Sequence, residues 1–144
     1  MGLLLLSLAF SGCKSTDSAG DDSQVSVLIT GHTEEEVRQT TIEVFKWNGY
    51  VHTVGLNFEK KGTKWDTAKY GGLSGNAVWF RMSAEIARQN EGTIILGCDT
   101  YVIEDRDVEF MEKERLLSYG KRSDCKKILN QIKQRLSLPA ASPQ

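Results

Sequence analysis

Two long alternating stretches joined by a tight turn constrain the fold of this chain more than any other feature. Every second residue between positions 77 and 88 is apolar, and a similar pattern returns between positions 93 and 103. The intervening Asn90-Glu91-Gly92 is typical of a hairpin turn. The sequence therefore predicts an antiparallel hairpin with one buried face. The positions that share this face are Val78, Phe80, Met82, Ala84 and Ile86, then Ile94, Leu96, Cys98, Thr100 and Val102.

Two other segments have the period of an amphipathic helix. Thr33 and Glu36 form a capping box before the first, and Asn48-Gly49 is a typical stop. Its predicted buried face comprises Val37, Thr41, Val44 and Phe45. Ser123 is predicted to cap the second helix. Its apolar stripe comprises Cys125, Ile128, Leu129, Ile132 and Leu136.

Three further strands complete the predicted elements. Residues 25–30 are rich in β-branched residues and alternate between apolar and polar, which predicts a strand. Residues 50–60 are predicted to form a second strand, in which Gly55 can mark a bulge. Residues 61–75 are a long connection with four glycines. Residues 108–117 have helical propensity but follow a polar turn, and we interpret them as a strand because this allows the first strand to pair with them in antiparallel fashion.

The resulting fold class is α+β, with element order β-α-β(4)-α and both helices on one face of an antiparallel sheet. The single domain is predicted to span residues 25–138, with a tail at residues 139–144. This order of elements resembles the helix-grip or TATA-binding-protein-like arrangement, which also occurs in the lipoprotein subunit of the outer-membrane β-barrel assembly machine. The resemblance concerns element order alone and implies no shared function.

The N-terminal region contains an apolar run from Gly2 to Gly12, which is shorter than the roughly 20 residues of a membrane-spanning helix. Such a run is typical of a secretory signal peptide. The residues Phe10-Ser11-Gly12-Cys13 resemble the bacterial lipobox, although leucine is usual at position 10 and no Lys or Arg precedes the run. The resemblance implies that residues 1–12 are a signal peptide and that Cys13 carries acyl chains such as palmitate. The alternative is an ordinary buried cysteine.

Residues 13–24 then form a lipidated cysteine and a flexible tether of small polar residues. Lys14 occupies the position at which aspartate marks inner-membrane retention in enterobacterial lipoproteins, so the resemblance favours the outer membrane. We therefore expect a bacterial envelope protein that faces the periplasm.

Cys98 and Cys125 are the two other cysteines of the chain. In an oxidising compartment they can form a disulfide, which would stabilise the fold by about 3–4 kcal/mol in the chain-entropy model. The alternative is that both are small apolar core residues.

The net charge of −1 supplies no general attraction for nucleic acid. The two histidines lack neighbours at metal-ligand spacing, and no nucleotide-binding motif or nucleophile elbow occurs, so we predict no metal, no cofactor and no catalysis.

A surface for a protein partner is the best functional candidate. Trp65 and Tyr70 lie among lysines in the glycine-rich connection and either bind a partner or close the end of the core. Trp79, Arg81 and Tyr101 form a second patch on the predicted face away from the helices. The basic last helix either is simply solvated or contacts anionic lipid.

The leading hypothesis is a membrane-anchored envelope lipoprotein with a non-catalytic protein-interaction domain. One alternative is a carrier that holds a lipid or small apolar ligand between sheet and helices. A weaker alternative is a hydrolase that uses His32 or His52.

Overall fold

The computed structural model describes residues 24–71, 75–106, 108, 110–117 and 121–138. The predicted signal peptide, Cys13, most of the tether and the tail at residues 139–144 lie outside the described residues. The elements in chain order are β1 (Val25–Thr30), α1 (Glu34–Trp47), β2 (Val51–His52), β3 (Asn57–Lys61), α2 (Lys64–Tyr70), β4 (Trp79–Asn90), β5 (Thr93–Glu104), β6 (Lys113–Leu116) and α3 (Arg122–Ser137).

Strand β5 lies at the centre of an antiparallel sheet. It pairs with β4 along one edge, where Arg81 lies opposite Tyr101. Its other edge is shared, because β1 pairs with residues 93–98 and β6 pairs with residues 101–104. Strands β3 and β2 follow beyond β4. The α+β class and the antiparallel sheet predicted from the sequence are confirmed.

Helix α1 begins and ends where the sequence predicts. The Thr33 hydroxyl accepts a hydrogen bond from the Glu36 N–H at 3.2 Å, and the Glu36 carboxylate accepts one from the Thr33 N–H at 2.7 Å. Asn48 is the C-cap, and Gly49 follows with φ +82°, a left-handed conformation that glycine adopts without strain. The predicted face is buried, and it comprises Val37, Thr41, Val44 and Phe45.

Helices α1 and α3 pack on the same face of the sheet. Phe45 of α1 stacks on Phe58 of β3 with ring centroids 4.0 Å apart. The residues that α3 contributes to this core are Cys125, Ile128, Leu129 and Ile132. A smaller cluster continues the buried face toward α2, and it comprises Val78, Phe80, Val102 and Leu117, with Tyr70 packed against them.

The prediction of one strand over residues 50–60 is wrong, because the chain reverses at Gly55. Strands β2 and β3 pair as a hairpin. The Thr53 N–H donates to the Asn57 carbonyl at 2.9 Å, and the Asn57 N–H donates to the Val54 carbonyl at 3.1 Å. Gly55 has φ +63°, which other residues rarely adopt. The glycine therefore marks a turn and not a bulge.

This additional reversal changes the partner of β1. The sequence predicts that β1 lies antiparallel to a strand over residues 108–117, but the extra turn makes it antiparallel to β5. The described part of the chain between α1 and α3 contains five strands and the short helix α2, where the sequence predicts four strands. The predicted order β-α-β(4)-α is therefore corrected to β-α-β-β-α-β-β-β-α.

Three local predictions also differ from the structure. The connection over residues 61–75 contains α2. Of the described residues in the strand predicted over residues 108–117, only Lys113–Leu116 is β-strand. The N-cap of α3 is Lys121 and not Ser123, and it makes no side-chain capping bond. Its ammonium group bonds elsewhere, as described below.

Replacing Gly55 with alanine tests the turn. No atom lies within 4 Å of the added Cβ, so the whole cost comes from the positive φ. We expect the free energy of unfolding, measured by urea denaturation, to fall by about 1–2 kcal/mol. Val54→Ala is the matched control, because Val54 is exposed in the same turn. A Gly55→Ala variant as stable as this control would contradict the turn.

Candidate functional site

Helix α2 presents an exposed tryptophan on a fixed support. Its first turn is held by a capping box in which the Thr63 hydroxyl accepts the Asp66 N–H at 3.2 Å and the Asp66 carboxylate accepts the Thr63 N–H at 2.8 Å. Its last residue, Tyr70, packs edge-on against Phe80 with ring centroids 5.8 Å apart. Between these two points, the side chain of Trp65 is 85% exposed.

Asp66 connects α2 to the start of α3. Its carboxylate lies 3.3 Å from the Lys121 ammonium, which also lies 3.4 Å from Asp124 and 4.7 Å from the ring centre of Phe80. Burial alone would raise the pKa of Asp66, but hydrogen bonds from Thr63 and the nearby Lys121 outweigh it and hold the pKa below its usual value. The carboxylate is therefore ionised at neutral pH, and the ion pair holds α2 in place.

The surroundings of Trp65 are basic. Lys64 precedes it, and Lys69 lies one helical turn later on the same side. Both lysines are exposed, and the Lys69 ammonium lies 5.0 Å from the ring centre of Tyr70. We call these three residues, Lys64, Trp65 and Lys69, the Trp65 surface. Of the two alternatives left open by the sequence, Tyr70 closes the end of the core, whereas Trp65 faces solvent.

The second predicted group lies on the opposite face of the sheet. Trp79, Arg81 and Tyr101 are brought together there, since Arg81 and Tyr101 are cross-strand neighbours and Trp79 precedes Arg81 by two positions. Trp79 is half-buried, and the Arg106 guanidinium stacks on its ring at 4.4 Å. Because Tyr70 packs on the helix-covered side, the five predicted residues form two separate surfaces.

A buried carboxylate organises this opposite face. The Glu59 side chain is only 4% exposed and lies 2.8 Å from Arg81 and 2.6 Å from Arg106. Arg81 also donates to both carboxylate oxygens of Glu114 at 2.9 Å. Burial, with the charges of Asp99 and Glu114, raises the pKa of Tyr101. These contacts connect β3, β4 and β6. Arg81 and the Trp79 ring are therefore already bound to other residues of the domain.

A groove between α1 and α3 was not predicted from the sequence. It has a volume of about 620 Å³, and Trp47, which is 81% exposed, forms part of its wall. The Arg135 guanidinium lies 5.5 Å from the Trp47 ring centre and 2.8 Å from Glu43. The position of Trp47 outside the apolar stripe of α1 was the available signal. The lining residues are Val44, Trp47, Asn48, Gln131, Gln134, Arg135 and Leu138.

Cys98 and Cys125 are brought together in the core. Both are buried and both are free thiols in this structure, and the Cys125 Sγ donates to the Cys98 carbonyl at 3.5 Å. A hydrogen bond with Cys125, together with burial, raises the pKa of the Cys98 thiol well above its usual value. Both therefore pack as core residues here, and their pairing in an oxidising compartment stays a prediction.

The two histidines have local contacts. His52 Nε2 lies 2.8 Å from the Gly55 carbonyl in the β2–β3 turn, and His32 Nδ1 lies 3.6 Å from the Glu36 carboxylate at the start of α1. Within the described ranges, no three His, Cys, Asp or Glu side chains are grouped as metal ligands. None of the helices in those ranges is long and apolar enough to cross a bilayer.

Comparisons of the chain with protein-family models, with curated proteins and with solved structures gave no match.

Removing the positive charge of Arg81 tests the buried network. In Arg81→Met the stem is kept, but Glu59 retains only Arg106 as a cationic partner among the described residues. We expect the free energy of unfolding to fall by about 3 kcal/mol. Arg88→Met is the control, because it breaks an exposed ion pair with Glu34 and should cost less than about 1 kcal/mol. If urea denaturation gives the same loss in the free energy of unfolding for both variants, the buried ion pairs of Glu59 contribute no more to stability than an exposed pair.

The burial of the two thiols gives a second prediction. In native protein purified with reductant, an aromatic disulfide reagent should leave Cys98 and Cys125 unmodified, because neither sulfur is accessible. Unfolding in denaturant should then expose both, as counted by the absorbance of the released thiolate. Reaction of either thiol at its unfolded rate in the native protein would contradict their position. Cys13→Ser removes the third cysteine from the count.

Proposed function

We propose that this chain is a lipid-anchored module of a bacterial cell envelope that binds another envelope protein, without catalysis, through the Trp65 surface. The anchor is inferred from Phe10-Ser11-Gly12-Cys13, and Lys14 favours the outer membrane over the inner membrane. The periplasm-facing orientation follows from the same resemblance. The single observation that carries the binding function is the exposure of Trp65 on a helix that is fixed at both ends.

A fixed and exposed tryptophan suits protein binding for two reasons. Tryptophan is among the residues that contribute most to protein interfaces, because a large apolar area is buried with little loss of conformational freedom. The capping box and the Asp66–Lys121 ion pair hold α2 in advance, so binding does not have to order it. The flanking lysines favour a partner with an acidic rim around an apolar pocket.

The finer fold assignment belongs with this proposal. We infer a helix-grip or TATA-binding-protein-like arrangement from the two long helices on one face of an antiparallel sheet. The separation of β2 from β3 and the presence of α2 are departures from it. The proposed binding function does not depend on this likeness.

The carrier alternative has weaker support. A carrier would hold its ligand between sheet and helices, where Phe45 and Phe58 stack directly on each other. The groove beside Trp47 is large enough for a small ligand, but its lining residues come from α1, α3 and the positions that follow them, and none comes from the sheet. The contacts of His32 and His52 with Glu36 and the Gly55 carbonyl give no support to a hydrolase.

The anchor is tested by replacing its acyl-accepting residue. Cys13→Ala should move the protein from the membrane fraction to the high-salt-soluble fraction, or leave it as an unprocessed precursor with its apolar run intact. Metabolic labelling with radioactive palmitate should be lost in the same variant. A variant that still incorporates palmitate would overturn the anchor at Cys13.

The binding surface is tested with two equally exposed tryptophans. Trp65→Ala should abolish the co-purification of the partner from detergent-solubilised envelopes. Trp47→Ala should preserve it, because Trp47 contacts Arg135 near the end of α3, whereas α2 contacts Lys121 at the start of α3. Proteins recovered with wild type and Trp47→Ala but not with Trp65→Ala identify the partner. The same proteins in all three samples would contradict the assignment of the Trp65 surface.

A further inference from the structure

The solvent-facing side of α3 is cationic, although the whole chain carries a net charge of −1. The one acidic residue of α3, Asp124, is half-exposed and lies 3.4 Å from the Lys121 ammonium. Arg135 is neutralised by Glu43 at 2.8 Å. Lys126, Lys127 and Lys133 form no ion pair with another described residue, so their charges face solvent. The exposed residues of α3 are Ser123, Lys126, Lys127, Asn130, Lys133, Gln134, Arg135 and Ser137.

The chain enters the described fold beside this helix. Val25, at the start of β1, lies opposite Cys98 of β5. The Cys98 carbonyl contacts Cys125 of α3, which immediately precedes Lys126 and Lys127 in the sequence. Helix α3 continues to pack against β1, and Lys133 lines a small groove together with residues at the end of β1. The three lysines therefore lie along the helix nearest to the point at which the N-terminal segment joins the domain.

We propose that this cationic face of α3, formed by Lys126, Lys127 and Lys133, docks on anionic phospholipid headgroups of the membrane that holds the chain. The inference deepens the proposed function and rests on its anchor at Cys13. Eleven residues lie between that anchor and β1. A flexible linker of this length has a typical span of about 17–20 Å, which would keep the face at a high local concentration of lipid. Each lysine near an anionic surface strengthens binding roughly fivefold.

The composition of the face favours lipid over a protein partner. Apart from the lysines, α3 exposes serine, asparagine and glutamine side chains and Arg135, which is paired with Glu43. No exposed residue of α3 is aromatic. Protein interfaces depend on buried aromatic and arginine anchors and are depleted in lysine. Lysine is a strongly hydrated point charge, which suits a fluid layer of headgroups that requires no fixed geometry. The face therefore orients the domain, while the Trp65 surface is the one proposed for a partner.

The experiment measures lysine protection on two kinds of vesicle. The full chain is coupled through Cys13 to a maleimide-bearing lipid, so the natural acylation is not required. One set of vesicles contains phosphatidylcholine alone, and the other contains equal parts of phosphatidylcholine and phosphatidylglycerol. Acylation rates of individual lysines are measured by mass spectrometry. We expect the rates at Lys126, Lys127 and Lys133 to fall at least about fivefold on the anionic vesicles.

Lys61 is the internal control, because it is exposed on β3 opposite Trp79, on the sheet face away from the helices, and should be unchanged. The protection should disappear near 1 M salt, where the Debye length is about 3 Å. The double variant Lys126→Glu, Lys133→Glu should lose the protection of Lys127, and Lys61→Glu should keep it.

Equal rates on both vesicles would overturn the proposal, and so would equal protection of Lys61. Another contrary result is that the three lysines react more slowly on the vesicles of pure phosphatidylcholine than in the uncoupled protein. That result would indicate a contact between protein molecules and would also overturn the proposal. A failure of the anchor is seen separately, in the mass of the natural N-terminus, because the maleimide coupling does not depend on it.

Discussion

The pairing of β5 on both edges is the constraint on which the rest of the structure depends. One edge is occupied by β4, and the other is divided between β1 and β6. The same strand supplies Leu96 and Cys98 to the core beneath α1 and α3. Strand β5 therefore contacts three other strands of the sheet and also the core that α1 and α3 cover. Since β1 and β5 are separated by more than sixty residues of sequence, this pairing is non-local and has to overcome a large loop-closure entropy.

Patterns within a few residues of sequence predicted most helices and strands, whereas the order of strands in the sheet depended on Gly55. The alternation of β4 and β5 and the Thr33 capping box are encoded within a few positions, so both were recoverable from the sequence. Gly55 was ambiguous, because glycine within a strand is compatible with either a bulge or a reversal. The reversal inverts the direction of every later strand relative to β1. The capping signature Thr63–Asp66 was present but was obscured by the surrounding glycines.

The candidate sites also include residues that the sequence identifies and contacts that only the folded structure shows. Trp65 and Tyr70 were identifiable from the sequence as aromatic residues in a basic connection, but which of them faces solvent depends on the contact between Tyr70 and Phe80. The Glu59 network was not predictable, because its arginines come from β4 and from the connection after β5. The position of Trp47 depends equally on how α3 packs against α1. Charges and apolar residues that meet only in the folded state leave no local pattern.

We propose that different parts of one small protein have different tasks: a lipid anchor at Cys13, a cationic helix that faces the membrane, and Trp65 for a partner. The first two depend on where the mature chain begins. The most direct measurement is the mass of the N-terminal peptide from protein purified out of bacterial membranes. The account predicts a first residue of Cys13 bearing diacylglyceryl and an amide-linked fatty acid. An unmodified Cys13, or a mature chain that begins at another residue, would contradict it.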